Sequence, residues 1–160
     1  MPRILAVDYG TKRVGLAVTD PLQIIAGPLH ALHAKDVLTY LAEYTAANET
    51  EAFVVGMPSR LDSTDTNNTR HVRIFIRTLQ KKFPNIPVFT TDERFTTVIA
   101  SRAMLDGGLG KKARANKATI DKVSAVVILQ SFMEQRSMFK KAAEEADETL
   151  IEPNTDALNP

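Results

Sequence analysis

Hydrophobic and polar positions alternate over the first nineteen residues in a way that predicts two paired strands. Residues 3–9 place Ile4, Ala6 and Asp8 on one face and mainly apolar side chains on the other. A strand that is apolar on both faces is typical of the centre of a sheet. A short polar turn and a second apolar run at 14–19 follow, which is the pattern of a β-hairpin. The central strand therefore ends in a carboxylate.

The rest of the chain alternates strand and helix patterns. The predicted elements are, in order, a strand at 24–34, a helix at 37–48, a strand at 51–58, a helix around 72–79, a strand at 86–93, a helix at 97–105 and a last helix at 120–135. Helical crossovers make the first, fourth and fifth strands parallel, whereas the initial hairpin is antiparallel. The pattern predicts an α/β fold with a mixed five-stranded sheet flanked by helices, in the order β-β-β-α-β-α-β-α followed by a further helix towards the C-terminus.

Two local signals refine this order of elements. Pro28 lies inside the third strand, where proline indicates a sheet edge or a bulge. Asp36 directly precedes the first helix, and aspartate is a favoured residue for capping the free N–H groups of a helix start.

Acidic residues are expected to meet at one edge of this sheet. Asp8 ends the first strand, and Asp92 and Glu93 end the fifth. The carboxyl ends of parallel strands line one edge, where ligands bind in open α/β sheets. Asp121 lies in the first turn of the last helix, on its apolar face and beside the small residues 124 and 125, which permit close approach.

Clustered carboxylates repel one another and are costly to desolvate, and a divalent cation removes both penalties. Mg²⁺ and Mn²⁺ take oxygen ligands, keep several waters and are often shared with substrate phosphates. Two such ions can activate water and stabilise the leaving oxygen in phosphodiester cleavage. The acids therefore indicate a site for Mg²⁺ or Mn²⁺.

Basic residues lie close to these acids in the sequence and are candidates for holding a phosphate backbone, which attracts them without sequence preference. They are Lys12, Arg13, Arg94, Lys111, Lys112 and Arg114. The last three belong to a glycine-containing loop at 108–119 that directly precedes Asp121.

Composition narrows the class of protein. A chain of 160 residues with 44% hydrophobic residues fits one ordinary core. The absence of Cys excludes disulfides, thiolate metal sites and a cysteine nucleophile, and it is compatible with the cytosol. The N-terminus has no signal-peptide pattern, and no apolar stretch approaches the ~20 residues of a membrane helix. We expect a cytoplasmic protein without membrane contact.

Charge is unevenly distributed along the chain. The net charge of the whole chain is +1, but residues 138–160 hold six acids and two lysines and so carry a net charge of −4. Residues 1–137 therefore carry a net charge of +5. We expect one domain at 1–137 and an acidic tail at 138–160. A solvated, frayed end explains the tail, and a nucleic-acid mimic that covers a basic site is the alternative.

Four segments resemble the motifs of the YqgF family, also called RuvX. They are "ILAVDYGTKRVGLAVTD", "VVGMP", "TTDERFTT" and "DKVSAVVILQSF", spread from Arg3 to Met133. The resemblance implies a ribonuclease H-like fold and acidic metal ligands at Asp8, Glu93 and Asp121. It also places Lys12, Arg13 and Arg94 in the matched motifs. Family members are described as Holliday junction resolvases and are assigned to the processing of pre-16S rRNA.

Three functions follow as hypotheses. The first is a metal-dependent nuclease in which Asp8, Glu93 and Asp121 are catalytic, acting in maturation of the pre-16S rRNA 5′ end, with structured RNA or a ribosomal precursor as partner. A variant of this hypothesis is a resolvase of branched DNA, which needs a homodimer.

The second hypothesis is a nucleic-acid-binding module without catalysis. The third is an ATPase of the sugar-kinase type, because "DYGT" follows a strand, but such proteins need two domains and one is expected here.

Overall fold

A computed structural model describes residues 1–58, 67–92 and 117–151. The strands are β1 Arg3–Tyr9, β2 Arg13–Thr19, β3 Ala26–His33, β4 Thr50–Met57 and β5 Val88–Asp92. The helices are α1 Val37–Ala47, α2 Asn67–Lys82 and α3 Lys117–Ile151, with a 3₁₀ turn at Ala34–Asp36 before α1. The predicted helix at 97–105 and most of the predicted basic loop at 108–119 lie outside the described residues.

The five strands form one sheet in the order β3-β2-β1-β4-β5. β1 pairs antiparallel with β2, and β2 with β3, whereas β1–β4 and β4–β5 are parallel. The predicted mixed sheet is therefore confirmed. β3 is an edge strand, and its pairing register shifts between Leu16 and Ala17, next to Pro28. Pro28 thus lies where a missing backbone N–H costs least.

The sheet separates two apolar layers, and β1 contributes to both. Leu5 and Val7 belong to the layer covered by α1 and α2, whereas Ile4 and Ala6 belong to the layer covered by α3. All four side chains are buried. The alternation of β1 therefore reflects burial on both faces, as predicted for the central strand.

Helix α3 is much longer than predicted. The predicted last helix ends at Gln135, where its apolar face ends, but α3 continues to Ile151. Residues 134–146 are all exposed, so burial does not explain this half of the helix. Alanine, lysine and glutamate favour the helical state, and Lys140 and Lys141 stand four residues before Glu144 and Glu145, a spacing that stabilises helices.

The start of α1 also differs from prediction. Asp36 occupies the N-cap position, but its side chain makes no capping hydrogen bond. The 3₁₀ turn leads into α1, and the capping is displaced to His33, whose Nδ1 accepts the Lys35 N–H at 3.1 Å.

No helix in the described part of the chain is both long enough and apolar enough to cross a membrane. α3 has the length, but its residues 134–146 are exposed and include several charged side chains.

Gly15 of β2 lets the backbone of α3 rest directly on the sheet. A Cβ built on Gly15 would overlap the carbonyl group of Asp121 and lie 3.1 Å from its Cα. Both neighbours are backbone atoms, which cannot move aside as a flexible side chain can. Glycine at position 15 therefore sets the height of the α3 N-terminal turns above the sheet.

Gly15→Ala is expected to lower the free energy of unfolding by about 2 kcal/mol, because the added methyl group overpacks a rigid contact. Urea denaturation measures the change. Gly27→Ala is the matched control, since a Cβ on Gly27 of β3 meets nothing within 4 Å. Equal stability of the two variants would show that the α3 contact on β2 is not tight.

The middle of α3 is tied to the opposite end of the sheet by a polar cluster. Arg136 Nη1 lies 3.3 Å from Glu51 Oε2 and donates to Gln23 Oε1 at 3.1 Å, and Gln23 Nε2 donates to Glu51 Oε2 at 2.6 Å. Partial burial raises the pKa of Glu51, but the hydrogen bonds from Gln23 and Arg136 and the charge of Arg136 together hold it below the usual value.

This cluster is expected to stabilise the fold only while Glu51 is ionised. Because the folded-state pKa is lowered, the contribution is complete above the ordinary value of 4.5 and is lost as pH falls through the lower folded value. The groups are partly exposed, so solvent screening limits the effect to about 0.5 kcal/mol. Urea denaturation at about pH 7 and about pH 3.5 should show a smaller acid-induced loss for Glu51→Gln than for the unsubstituted protein.

Glu43→Gln, which changes an exposed acid of α1, is the control for that comparison. An identical pH dependence of Glu51→Gln and the unsubstituted protein would contradict a stabilising role of the ionised Glu51.

Candidate functional site

Asp8 lies at the carboxyl end of β1, on the sheet face that α3 covers. It follows Ile4 and Ala6 at alternate positions, and both of these pack in the α3 layer. Its side chain is half-buried, and its cross-strand partner is Gly15. On the opposite face, Tyr9 stacks on Phe75 of α2 with ring centroids 4.2 Å apart, which holds the end of β1 in place. Asp8 therefore projects from a fixed strand end.

Asp121 reaches the same place from α3. Its backbone contacts Gly15, the residue paired with Asp8, so the Cα atoms of the two acids lie within about 10 Å of each other. Its side chain is 18% exposed. The carboxylates predicted from β1 and from the last helix are therefore brought together, and glycine on β2 makes the approach possible.

Arg13 supplies a positive charge beside this pair. Its Nε lies 3.3 Å from Asp121 Oδ2, and its side chain is 47% exposed. Its carbonyl accepts the N–H of Gly10 at 2.9 Å, and a Cβ on Gly10 would come within 2.7 Å of that oxygen. The tight turn thus begins β2 at Arg13 and aims the guanidinium group at α3.

Lys12 occupies the same turn but extends into solvent. Its backbone carbonyl accepts the N–H of Ala34 at 3.0 Å, which anchors the turn to the end of β3. The turn therefore carries both Lys12 and Arg13 on an anchored backbone.

Small and polar residues border the acids on the neighbouring strands. Phe89 of β5 contacts Phe132 of α3, with ring centroids 5.3 Å apart, so Phe89 and Thr91 face α3. Thr91 pairs with Gly56 of β4, which carries no side chain into this space. The Thr91 hydroxyl is buried, and no residue in the described part of the chain forms a hydrogen bond with it. The sequence analysis did not select Thr91, although its alternation with Phe89 was a usable signal.

Several predicted site residues lie outside the described part of the chain. They are Glu93, Arg94, Lys111, Lys112 and Arg114. Asp92 is the last residue of β5 and is exposed. The described residues therefore bring together Asp8, Asp121 and Arg13, with Lys12 in the adjoining turn.

The two carboxylates suit a hard divalent cation. No group of three or more His, Cys, Asp or Glu side chains that could hold a metal occurs among residues 1–58, 67–92 and 117–151. Mg²⁺ is commonly bound by one or two carboxylates while it keeps waters and substrate phosphates as further ligands. A pair of oxygen donors at an accessible sheet edge fits that requirement, and a structural zinc site with four protein ligands does not fit these residues.

Comparison with known proteins identifies the family of the chain. A family model described as "RuvX: Holliday junction resolvase" matches residues 2–135. A protein of Phocaeicola vulgatus, named as a candidate pre-16S rRNA nuclease, is 48% identical over 136 residues, which cover 85% of this chain and 98% of that protein.

Solved structures with low sequence identity share the fold. RuvC of T. thermophilus, in complex with a Holliday junction substrate, superposes with a TM-score of 0.53 at 16% identity, covering 86% of this chain and 96% of RuvC. The fowlpox virus resolvase, in complex with Holliday junction DNA, superposes with a TM-score of 0.54 at 12% identity. The match covers 83% of this chain and 97% of the resolvase. The predicted ribonuclease H-like fold is confirmed, and the chain belongs to the RuvX family.

Proposed function

We propose that this protein is a metal-dependent nuclease that hydrolyses phosphodiester bonds at the carboxyl edge of the sheet. The observation that carries the proposal is the convergence of Asp8 and Asp121 at Gly15, with Arg13 beside them. Two carboxylates that a central strand and a packed helix hold close together repel each other, and a divalent cation bound between them would offset that repulsion.

The proposed metal ligands are Asp8, Asp121 and Glu93. Glu93 directly follows β5. In the sequence it continues the alternate positions of Phe89 and Thr91, the β5 residues that face α3. Mg²⁺ or Mn²⁺ bound there supplies a Lewis acid that activates water and offsets charge on the phosphoryl oxygens.

Basic residues are proposed to hold the substrate strand. Arg13 is supported by its contact with Asp121, and Lys12 by the anchored turn that carries both residues. A guanidinium group matches two oxygens of a phosphate, and the Arg13 side chain is 47% exposed, so it is accessible to a substrate phosphate beside Asp121. The remaining proposed contacts are Arg94, Lys111, Lys112 and Arg114.

The proposed substrate is precursor 16S rRNA, cut in the cytoplasm during maturation of its 5′ end. The name of the Phocaeicola vulgatus relative supports this choice, since the two proteins align over nearly the whole of that relative. Cleavage of a Holliday junction is the second candidate, supported by the family description, and it requires a homodimer that presents two sites.

Asp8→Asn and Asp121→Asn should each reduce metal-dependent cleavage at least about 100-fold, because the cation contributes several kcal/mol to the transition state. Cleavage of labelled precursor rRNA with Mg²⁺ or Mn²⁺ measures the loss. Calorimetric titration with Mn²⁺ should show weakened binding in both variants. Asp36→Asn, an exposed acid before α1, should leave both measurements unchanged.

Full activity of Asp8→Asn would contradict the assignment of the site. A panel of precursor rRNA, single-stranded RNA and a Holliday junction separates the substrates. Binding that persists in EDTA, without cleavage of any substrate under either metal, would indicate a module without catalysis.

Arg13→Gln should raise KM for precursor rRNA about fivefold while kcat falls less, because one charge-assisted contact to phosphate is lost. Mn²⁺ affinity should stay the same or increase, since Asp121 loses a competing cation. Arg3→Gln, at the other end of the β1–β2 hairpin, is the control. Weaker Mn²⁺ binding by Arg13→Gln with an unchanged KM would argue against a substrate contact.

A further inference from the structure

Helix α2 carries a row of basic side chains that the proposed site does not use. We call Arg70, Arg73, Arg77 and Lys81 the basic stripe. The intervals of three, four and four residues place these side chains on one side of the helix. All four are exposed. The opposite side of α2 is buried against the sheet through Val72, Phe75 and Leu79.

The charge of α2 is unusual for a solvated helix surface. Residues 67–82 contain five of the 20 Lys and Arg residues of the chain and no acidic residue. Exposed helix faces commonly intersperse both signs, because pairs at three or four residues stabilise the helix and like charges at this spacing destabilise it. The basic stripe therefore gives the exposed side of α2 a positive potential that attracts an anionic ligand.

The basic stripe begins at the same edge of the sheet as the acids. The Thr69 hydroxyl donates to the Pro58 carbonyl at 2.9 Å, just after the carboxyl end of β4. Phe75 stacks on Tyr9, the residue after Asp8. Arg70 precedes Phe75, so it lies at or beyond that edge, on the face opposite α3. From there the stripe extends about 16 Å along α2.

We propose that the basic stripe binds the phosphate backbone of a base-paired arm of the nucleic-acid substrate. This proposal rests on the proposed nuclease function for the identity of the substrate. A base-paired arm bound at Asp8 and Arg13 would extend from this edge along α2 on the other face. Four charges over about 16 Å are comparable to a strand that carries one phosphate per ~3.4 Å.

The structure favours nucleic acid over an anionic membrane as this partner. A helix that lies on a membrane inserts an apolar face, and the apolar face of α2 is already packed on the sheet. Arginine dominates the stripe, and its planar fork suits phosphate oxygens. Contacts of this kind position a substrate without reading its bases, so the stripe should bind different sequences equally.

Binding of an RNA hairpin to proteins carrying Asp8→Asn, in EDTA, tests the proposal without cleavage. Adding Arg77→Gln with Lys81→Gln should weaken binding about 10-fold near physiological salt. The slope of log affinity against log salt should become shallower by about 1.5, because two phosphate contacts are lost. Lys140→Gln with Lys141→Gln on exposed α3 is the charge-matched control and should change affinity less than about twofold.

Circular dichroism establishes that each variant is folded. If the double variant unfolds, Lys81→Gln alone should still make the slope shallower by about 0.8. Equal affinities and slopes for the stripe and control variants would overturn the proposal. So would loss of binding to phosphatidylserine vesicles with unchanged RNA binding. Loss of RNA binding in the stripe variant, together with no cleavage by the protein without substitutions, would support the stripe and contradict the nuclease function.

Discussion

The contact between the α3 backbone and Gly15 is the constraint on which the rest of the site depends. It lets a helix that packs through small and apolar residues settle directly on β2, one strand away from Asp8. Any larger residue at position 15 would lift Asp121 from the strand end. The same backbone contact therefore determines both how α3 packs on the sheet and how far Asp121 lies from Asp8.

The acidic site residues and the basic stripe lie on opposite faces of the sheet. The face covered by α3 carries Asp8 and Asp121 at the edge, while the face covered by α2 carries the basic stripe. β1 joins the two faces, since alternate residues of one strand pack into both layers and Tyr9 and Asp8 point to opposite sides of the same strand end. A nucleic acid at this edge meets acids that suit a cation on one side and cations that suit phosphate on the other.

Much of this arrangement could be predicted from sequence, because it depends on alternation and on element ends. β1 is recognisable since both of its faces are apolar, and Asp8 and Asp121 stand out because they begin or end such elements. The predicted end of α3 at Gln135 was wrong, because helix propensity and charge spacing, rather than an apolar face, stabilise the rest of the helix. The Gly15 contact depends on the distance between the helix layer and the sheet, which alternation along one strand does not contain, whereas the position of Thr91 follows from its alternation with Phe89.

The length of α3 has a mechanical consequence. Its 35 residues extend about 52 Å as one continuous helix, with Asp121 near one end and the exposed Phe139 far beyond the packed segment. No loop interrupts the helix between them to absorb a displacement. A partner bound to the exposed residues 134–146 would therefore contact the same continuous helix that carries Asp121.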